Sequence, residues 1–193
     1  MKYARTTCRG FTLVELMITL TIAAILAFLA IPSLTAYKRN AELTSAANTL
    51  LAAINAARGE AMKRGMNAMV VPTDGVNWSN GWVVFVDKDR SRTYTNNLDS
   101  TVLTQPALPA YITVNEVSSA LGTGQYVLYD ASGYSKTKLG APGALSISLT
   151  RSDLTGSTLT DQTRRIMIAL TGRARICKPT GQTGDSCVPS NTF

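Results

Sequence analysis

The feature that most constrains this chain is an apolar run at residues 11–31, "FTLVELMITLTIAAILAFLAI", in which Glu15 is the only ionisable side chain. At about 1.5 Å per residue the run makes a helix about 30 Å long, which is the thickness of the hydrocarbon core of a bilayer. A charged side chain there costs about 3 kcal/mol on insertion scales. The run predicts a membrane-spanning segment, and Glu15 needs a role that compensates for its cost.

The flanks of the run bear on its type and orientation. A secretory signal peptide has a shorter apolar region followed by a small-residue cleavage site, whereas this run ends in "IPS" and continues into a helical pattern. Lys2, Arg5 and Arg9 precede the run and favour an N-inside orientation, although Lys38 and Arg39 weaken that bias. Hydropathy alone therefore predicts a signal anchor.

An amphipathic helix is predicted to continue from the run to about residue 65. Its apolar positions recur three or four apart on one face: Leu43, Ala46, Ala47, Leu50, Leu51, Ile54, Ala57 and Ala61. The opposite face is polar and includes Asn55, Arg58 and Lys63. Pro32 lacks a backbone donor and predicts a kink. Gly65 is suited to cap the C-terminus.

After Gly65 the pattern changes to short apolar runs, most of them rich in β-branched and aromatic residues. They lie at residues 68–71, 81–87, 111–116, 126–130, 144–149 and 164–170. Turn sequences such as Asp74-Gly75 and Ser132-Gly133 separate them. Six or seven strands after one long helix predict an α+β fold, in which antiparallel sheets pack on the apolar face of the helix.

The sequence "RGFTLVEL" at residues 9–16 resembles the leader junction of type IV prepilins and type II secretion pseudopilins. The resemblance implies that a prepilin peptidase cleaves after Gly10 and that the new N-terminal Phe11 is methylated. It divides the chain into a leader (1–10), a transmembrane and assembly helix (11–31) and a periplasmic head (32–193). The protein would lie in the inner membrane before assembly with other pilins into a pilus at the cell surface.

The same resemblance implies a role for Glu15. The cleaved chain carries a positive amine on Phe11, and Glu15 lies one helical turn away on the same face. In this family the carboxylate neutralises a terminal amine in the assembling filament, so that neither charge is buried alone. Glu15 is therefore expected to be an assembly residue.

Two later segments resemble the FimT/GspH group of minor pilins and pseudopilins. They are "ARGEAMKRG" leading to "DG…W…GWVVFVDKD" at residues 57–89, and "IMIALTGRARI" at residues 166–176, which matches the last strand of that group. Residues 93–125 and 150–163 carry no such resemblance. The group implies a non-enzymatic pilus or pseudopilus subunit.

The stretch "TGRARICK" at residues 171–178 is the candidate DNA-binding site. In a strand, Arg173 and Arg175 point to one face about 6.8 Å apart and could hold neighbouring phosphates without reading sequence. Gly-Arg-x-Arg resembles the DNA-binding motif of DNA-uptake minor pilins of the FimT type. The other members of the predicted site are Gly172, Lys178, Arg164 and Arg165. Alternatively, the charges only protect a solvated strand edge from pairing with other strands.

The cysteines favour a disulfide. Cys177 and Cys187 flank a short glycine-containing loop in the predicted tail, residues 177–193, and Cys8 leaves with the leader. A metal site would need two more ligands, and the chain has no histidine to supply them. A periplasmic bridge between Cys177 and Cys187 is therefore predicted, with a contribution of about 2.5–3 kcal/mol.

Neither a cofactor, nor a metal, nor an enzymatic site is predicted. Without histidine the commonest general base is missing, and no nucleophile can be paired with a base. The sequence "DKDRS" at residues 87–91 resembles a calcium loop but lacks its glycine and later glutamate, so a polar hairpin is expected. Trp78, Trp82 and Phe85 are expected in the core.

Two functions remain open at this stage. The formal net charge of +7 falls to +4 without the leader, which permits a polyanionic partner but does not require one. One function is capture of DNA through its phosphate backbone for uptake in natural transformation. The other is structural: priming or capping a type IV pilus or a type II secretion pseudopilus without binding DNA.

Overall fold

The computed structural model describes residues 10–118, 125–182 and 184–187. Most of the predicted leader, with Cys8, and the end of the predicted tail lie outside the described residues. The chain forms two compact units, Met1–Ala41 and Glu42–Phe193.

One long helix, α1, runs from Leu13 to Arg64. The Thr12 hydroxyl caps its start by accepting a hydrogen bond from the Glu15 amide at 3.2 Å. Its end is closed by Gly65 in the left-handed conformation (φ +65°), with the Met66 amide bonded to the Ala61 carbonyl. α1 bends between Phe28 and Ser33. The kink predicted at Pro32 is confirmed.

The first unit presents its apolar side chains outward. Phe11, Leu13 and Phe28 are each more than 70% exposed, and the other large apolar side chains described there are exposed as well. No single described helix is both long and apolar enough to cross a membrane, but the bent pair Leu13–Phe28 and Ser33–Arg64 passes by length and composition. An exposed apolar surface of this size needs lipid or a protein neighbour.

In the described part of the second unit, eight strands form two antiparallel four-stranded sheets. The first sheet, in the order β3-β2-β1-β5, consists of β1 (Ala68–Pro72), β2 (Trp82–Val86), β3 (Ser100–Gln105) and β5 (Val127–Tyr129). The second, in the order β4-β6-β7-β8, consists of β4 (Ile112–Ser118), β6 (Leu145–Arg151), β7 (Arg164–Ile168) and β8 (Ala174–Cys177). A short 3-10 helix (Trp78–Asn80) and a helix α2 (Gly156–Asp161) complete the described elements.

One core joins the helix to both sheets. The predicted apolar face of α1 is buried from Leu43 to Ala61, apart from Leu51, which is half-buried against the same core. Trp78 and Trp82 are fully buried in it, and Phe85 is buried in a second cluster with Met69, Tyr126 and Leu128. Burial of these apolar faces holds the helix and the sheets together. The predicted α+β fold, a long helix packed on antiparallel sheets, is confirmed.

Three elements differ from the sequence prediction. β3 was not predicted, and α2 lies in a stretch that carried no signal. The segment 166–176, interpreted as one last strand, forms two strands joined by a turn. Gly172 (φ +80°) reverses the chain there, which a continuous strand does not allow.

Candidate nucleic-acid interface

The candidate interface is the hairpin of β7 and β8, and β8 is the edge strand of its sheet. Arg175 pairs with Met167, and Arg165 pairs with Cys177. Since side chains alternate along a strand, these residues and Arg173 share one side of the hairpin, called here the outer face. Ile166 and Ile168 point the other way, into the core. The predicted placement of Arg173 and Arg175 on one face agrees with this register.

Arg173 and Arg175 are both exposed and border a groove of about 250 Å³ together with Met167 and Ala169. The Arg173 carbonyl accepts the Ala169 amide at 3.0 Å, but its guanidinium has no hydrogen-bond or ion-pair partner among the described residues. Arg175 donates from Nη2 to the Ser186 carbonyl at 2.9 Å. The outer face thus presents two guanidinium groups. That of Arg173 makes no hydrogen bond to the described residues, and that of Arg175 makes one.

The two other predicted arginines are placed differently. Arg164 lies on the opposite face from Arg173 and Arg175, since it precedes Arg165 by one position, and its Nη1 donates to the Thr163 carbonyl. Arg165 lies on the outer face but is half-buried: it donates to Ser148 Oγ at 2.8 Å and to the Cys187 carbonyl. Arg164 therefore does not lie with the other predicted DNA-binding residues. The Arg165 guanidinium is occupied by its hydrogen bonds to Ser148 and Cys187.

The tail returns to the outer face through the bond between Cys177 and Cys187, whose Cα atoms are 5.8 Å apart. The predicted disulfide is present. Asp185 organises the loop by accepting the amides of Thr180 (2.7 Å) and Cys187 (2.8 Å), and these hydrogen bonds lower the pKa of its carboxyl. Lys178 follows β8 directly and is exposed. The bridge therefore holds the tail against Arg165 and Arg175.

The turn of the hairpin is anchored to the core through Gly172. A Cβ at this glycine would lie 1.9 Å from the Gly133 carbonyl oxygen. The buried Tyr129 hydroxyl donates to the Gly172 carbonyl at 3.1 Å. Gly172 was predicted as part of the DNA contact, but its surroundings assign it a structural role in shaping the turn.

Arg58 of α1 completes this anchor, and the sequence prediction missed it. It was placed on the polar face, yet its Nε donates to the Gly133 carbonyl (3.0 Å) and its Nη2 to the Thr171 carbonyl (3.1 Å). The available signal was its position four residues after Ile54 and three before Ala61, both buried. Arg58 holds the turn that presents Arg173.

The predicted processing and assembly residues lie at the start of the chain that the structure describes. Gly10 has no atom near its Cβ position, and Phe11 and Glu15 are exposed. Thr12 and Glu15 have the spacing of a helix capping box, and the Thr12 half of that box is formed. The junction is therefore exposed next to a well-defined helix start.

Two family models match the chain. The model of Type II transport protein GspH matches residues 46–172, well over half of the sequence. The prokaryotic N-terminal methylation motif matches residues 5–31. A comparison with curated proteins finds no match.

Solved structures of similar fold include minor pilins and pseudopilins. The type IV minor pilin FimU of Pseudomonas aeruginosa (strain PAO1) is 20% identical, with a TM-score of 0.55 over 79% of this chain and 99% of that one. A second crystal form of FimU gives a TM-score of 0.52 at 19% identity, over 75% and 99% of the two chains. The minor pseudopilin EpsH from the type 2 secretion system of Vibrio cholerae is 15% identical, with a TM-score of 0.48 over 73% and 99%. The likeness to FimU supports the pilin fold.

The methylation motif gives information about processing and assembly that the fold alone does not give. It implies processing by a prepilin peptidase and assembly with other pilins, with the N-terminal hydrophobic helix in the inner membrane beforehand. With the family match over residues 46–172, the chain belongs to the GspH family: it is a non-enzymatic minor pilin or pseudopilin of a type IV pilus or a type II secretion system.

Proposed function

We propose that this chain is a minor type IV pilin of the FimT type that binds DNA through Arg173 and Arg175 for uptake in natural transformation. The observation that carries the proposal is the exposure of both guanidinium groups side by side on the outer face of an edge strand. Guanidinium groups match phosphate oxygens bidentately. Contacts of this kind fix a protein on DNA without reading its sequence.

Each predicted basic residue has its own part in this proposal. Arg173 is the main phosphate ligand, since its donors have no partner among the described residues. Arg175 contributes the donors that Ser186 leaves free. Lys178 adds an exposed point charge. Arg165 supports the site by holding the Cys187 carbonyl, and Arg164 lies outside it.

The charge around the site is modestly favourable. From Arg151 onward the chain carries six basic and three acidic residues. Asp185, the acidic residue of the tail, has its carboxyl turned to the amides of Thr180 and Cys187. Binding through so few phosphates is expected to be weak, about micromolar or weaker, and strongly dependent on salt.

The test is a gel-shift salt series between about 50 and 200 mM on the full chain in an uncharged detergent with EDTA. We expect the wild-type protein to bind double-stranded DNA without sequence preference. Changing Arg173→Gln together with Arg175→Gln should remove most binding and reduce the slope of log K against log salt by about 1.8, since each phosphate contact contributes about 0.9. The fold should persist because both side chains are exposed.

The matched control is Lys88→Gln with Arg90→Gln, an exposed basic pair in the loop after β2 of the other sheet. It removes the same charge and should leave the slope nearly unchanged. Equal loss in the control would mean that only diffuse positive charge matters. If the wild-type protein does not bind DNA at low salt, the structural pilin without DNA binding is the better description.

We also propose that Glu15 neutralises the methylated Phe11 amine of a subunit in the filament. Its charge lies among exposed apolar side chains, where an unpaired carboxylate is costly. Glu15→Ala should therefore insert into the membrane as well as the wild-type protein but enter filaments poorly. Immunoblots of membranes and of sheared filaments would measure both.

Glu42→Ala makes the same change in α1 beyond the apolar run and should enter filaments normally. Recovery of Glu15→Ala from sheared filaments at the level of Glu42→Ala would exclude the charge-neutralising role.

A further inference from the structure

The loop between β2 and β3 gathers three carboxylates. Asp87 directly follows β2, Asp99 directly precedes β3, and Asp89 lies within the loop. One carboxylate oxygen from each lies within 4.8 Å of the other two. This acidic loop, Asp87, Asp89 and Asp99, is separate from the arginine-bearing hairpin and lies on the other sheet.

Asp87 is the unusual member because its side chain is fully buried. Its Oδ2 accepts the Arg92 amide at 3.2 Å, but its Oδ1 has no hydrogen-bond partner among the described residues. Burial raises the pKa of this carboxyl, and the neighbouring Asp89 and Asp99 add to the increase. A buried carboxylate oxygen without a donor is costly, and a bound cation would offset that cost.

We propose that the acidic loop binds one divalent cation of the size of Ca²⁺. Two oxygens on the same Ca²⁺, each at about 2.4 Å, are at most about 4.8 Å apart, and the three carboxylate oxygens all lie within 4.8 Å of one another. Mg²⁺ requires near-ideal octahedral geometry and gives up its waters reluctantly, so three carboxylates already held by the backbone favour the larger ion. Asp89 is exposed, so water can supply the remaining oxygens.

The carboxylates are held in place by the backbone. Asp99 accepts the Lys88 amide on Oδ1 and the Thr95 amide on Oδ2, and Asp89 accepts the Ser91 amide. Such hydrogen bonds orient ligands before the ion arrives. The sequence "DKDRS" alone does not predict this site, because its third carboxylate, Asp99, joins it only through the pairing of β2 with β3.

Basic residues near the acidic loop limit its affinity. Arg90, Arg92 and Lys138 line the same cavity as Asp87. Arg92 directs Nη1 to the Lys138 carbonyl, and the Lys138 ammonium lies over the Tyr126 ring at 5.0 Å. These positive charges oppose a cation, so we expect a dissociation constant of about 10⁻⁴–10⁻³ M, the range of extracellular calcium modules.

The test is calorimetric titration of the EDTA-treated full chain in an uncharged detergent with Ca²⁺ alone. We expect one Ca²⁺ per chain, weaker Mg²⁺ binding, and a rise in Tm of about 3–6 °C at about ten times Kd. Asp89→Asn should weaken Ca²⁺ binding at least about tenfold, because it removes one ligand charge. Asp161→Asn, an equal loss of charge at an exposed position in α2, should bind like the wild-type protein.

Unfolding temperatures distinguish a metal site from a structural cluster. In EDTA, Asp89→Asn should unfold at the wild-type temperature or above it, because one of three repelling charges is gone. With Ca²⁺ only the wild-type and Asp161→Asn proteins should gain stability. Absence of Ca²⁺ binding up to about 10 mM, ten times the weak end of the expected range, would overturn the proposal. So would Mg²⁺ binding of equal strength, or an equal loss of Tm in Asp89→Asn with and without Ca²⁺.

Discussion

Gly172→Ala is expected to destabilise the folded head by about 2–5 kcal/mol. The left-handed backbone at φ +80° costs an alanine about 1–2 kcal/mol. Its Cβ would also lie 1.9 Å from the Gly133 carbonyl oxygen and 3.0 Å from the Tyr129 ring. Relief of that overlap displaces the acceptor of Arg58, at a further cost of about 1–3 kcal/mol. Thermal unfolding should show a Tm about 4–20 °C lower.

Gly75→Ala is the matched control, because Gly75 has φ +76° but no atom within 4 Å of its Cβ position. Gly75→Ala should lose only the stability that a left-handed backbone costs an alanine. The difference in Tm between the two variants therefore measures the contact with Gly133. Equal losses of Tm would show that the turn is not tightly held. The pair also bears on DNA binding: a Gly172 variant that loses binding does so through the turn, whereas Arg173→Gln acts on the contact itself.

Gly10→Val is expected to stop maturation almost completely. The methylation motif covers this junction, and a peptidase site that accepts a residue without a Cβ excludes a branched side chain. A Cβ at Gly10 would meet no atom within 4 Å apart from its chain neighbours, so the substitution should not disturb folding. Mass spectrometry of the membrane fraction should find the unprocessed chain, with no mature protein starting at Phe11.

Ala4→Val introduces a branched side chain within the leader but away from the scissile bond, and it should be processed normally. If Gly10→Val yields mature protein as efficiently as Ala4→Val, cleavage does not occur after Gly10.

Local patterns were sufficient to predict much of the fold. The spacing from Leu43 to Ala61 predicted the buried face of α1, because a helix repeats every 3.6 residues whatever it packs against. Short apolar runs, most of them rich in β-branched and aromatic residues, predicted β2 and β6 in the same way. β3 was not predicted because it is an edge strand with a mostly polar sequence, "STVLTQ". It forms a strand by pairing with β2.

The arginine pair shows what the sequence alone determined about the site. Arg173 and Arg175 share a face because alternation is a property of any strand. The exclusion of Arg164 follows from the same rule once the strand is located. The sequence also determined the leader junction and the apolar run, since both depend on contiguous residues.

Only the tertiary structure decided which partners the arginine and aspartate side chains contact. Arg175 and Arg165 hold carbonyls of the tail, Arg58 holds the turn, and Asp99 meets Asp87 across two strands. These partners are distant in the chain, and their hydrogen bonds depend on distances of a few tenths of an ångström. Such contacts exist only after helix and sheets have packed, because burial of the core fixes where each backbone carbonyl lies.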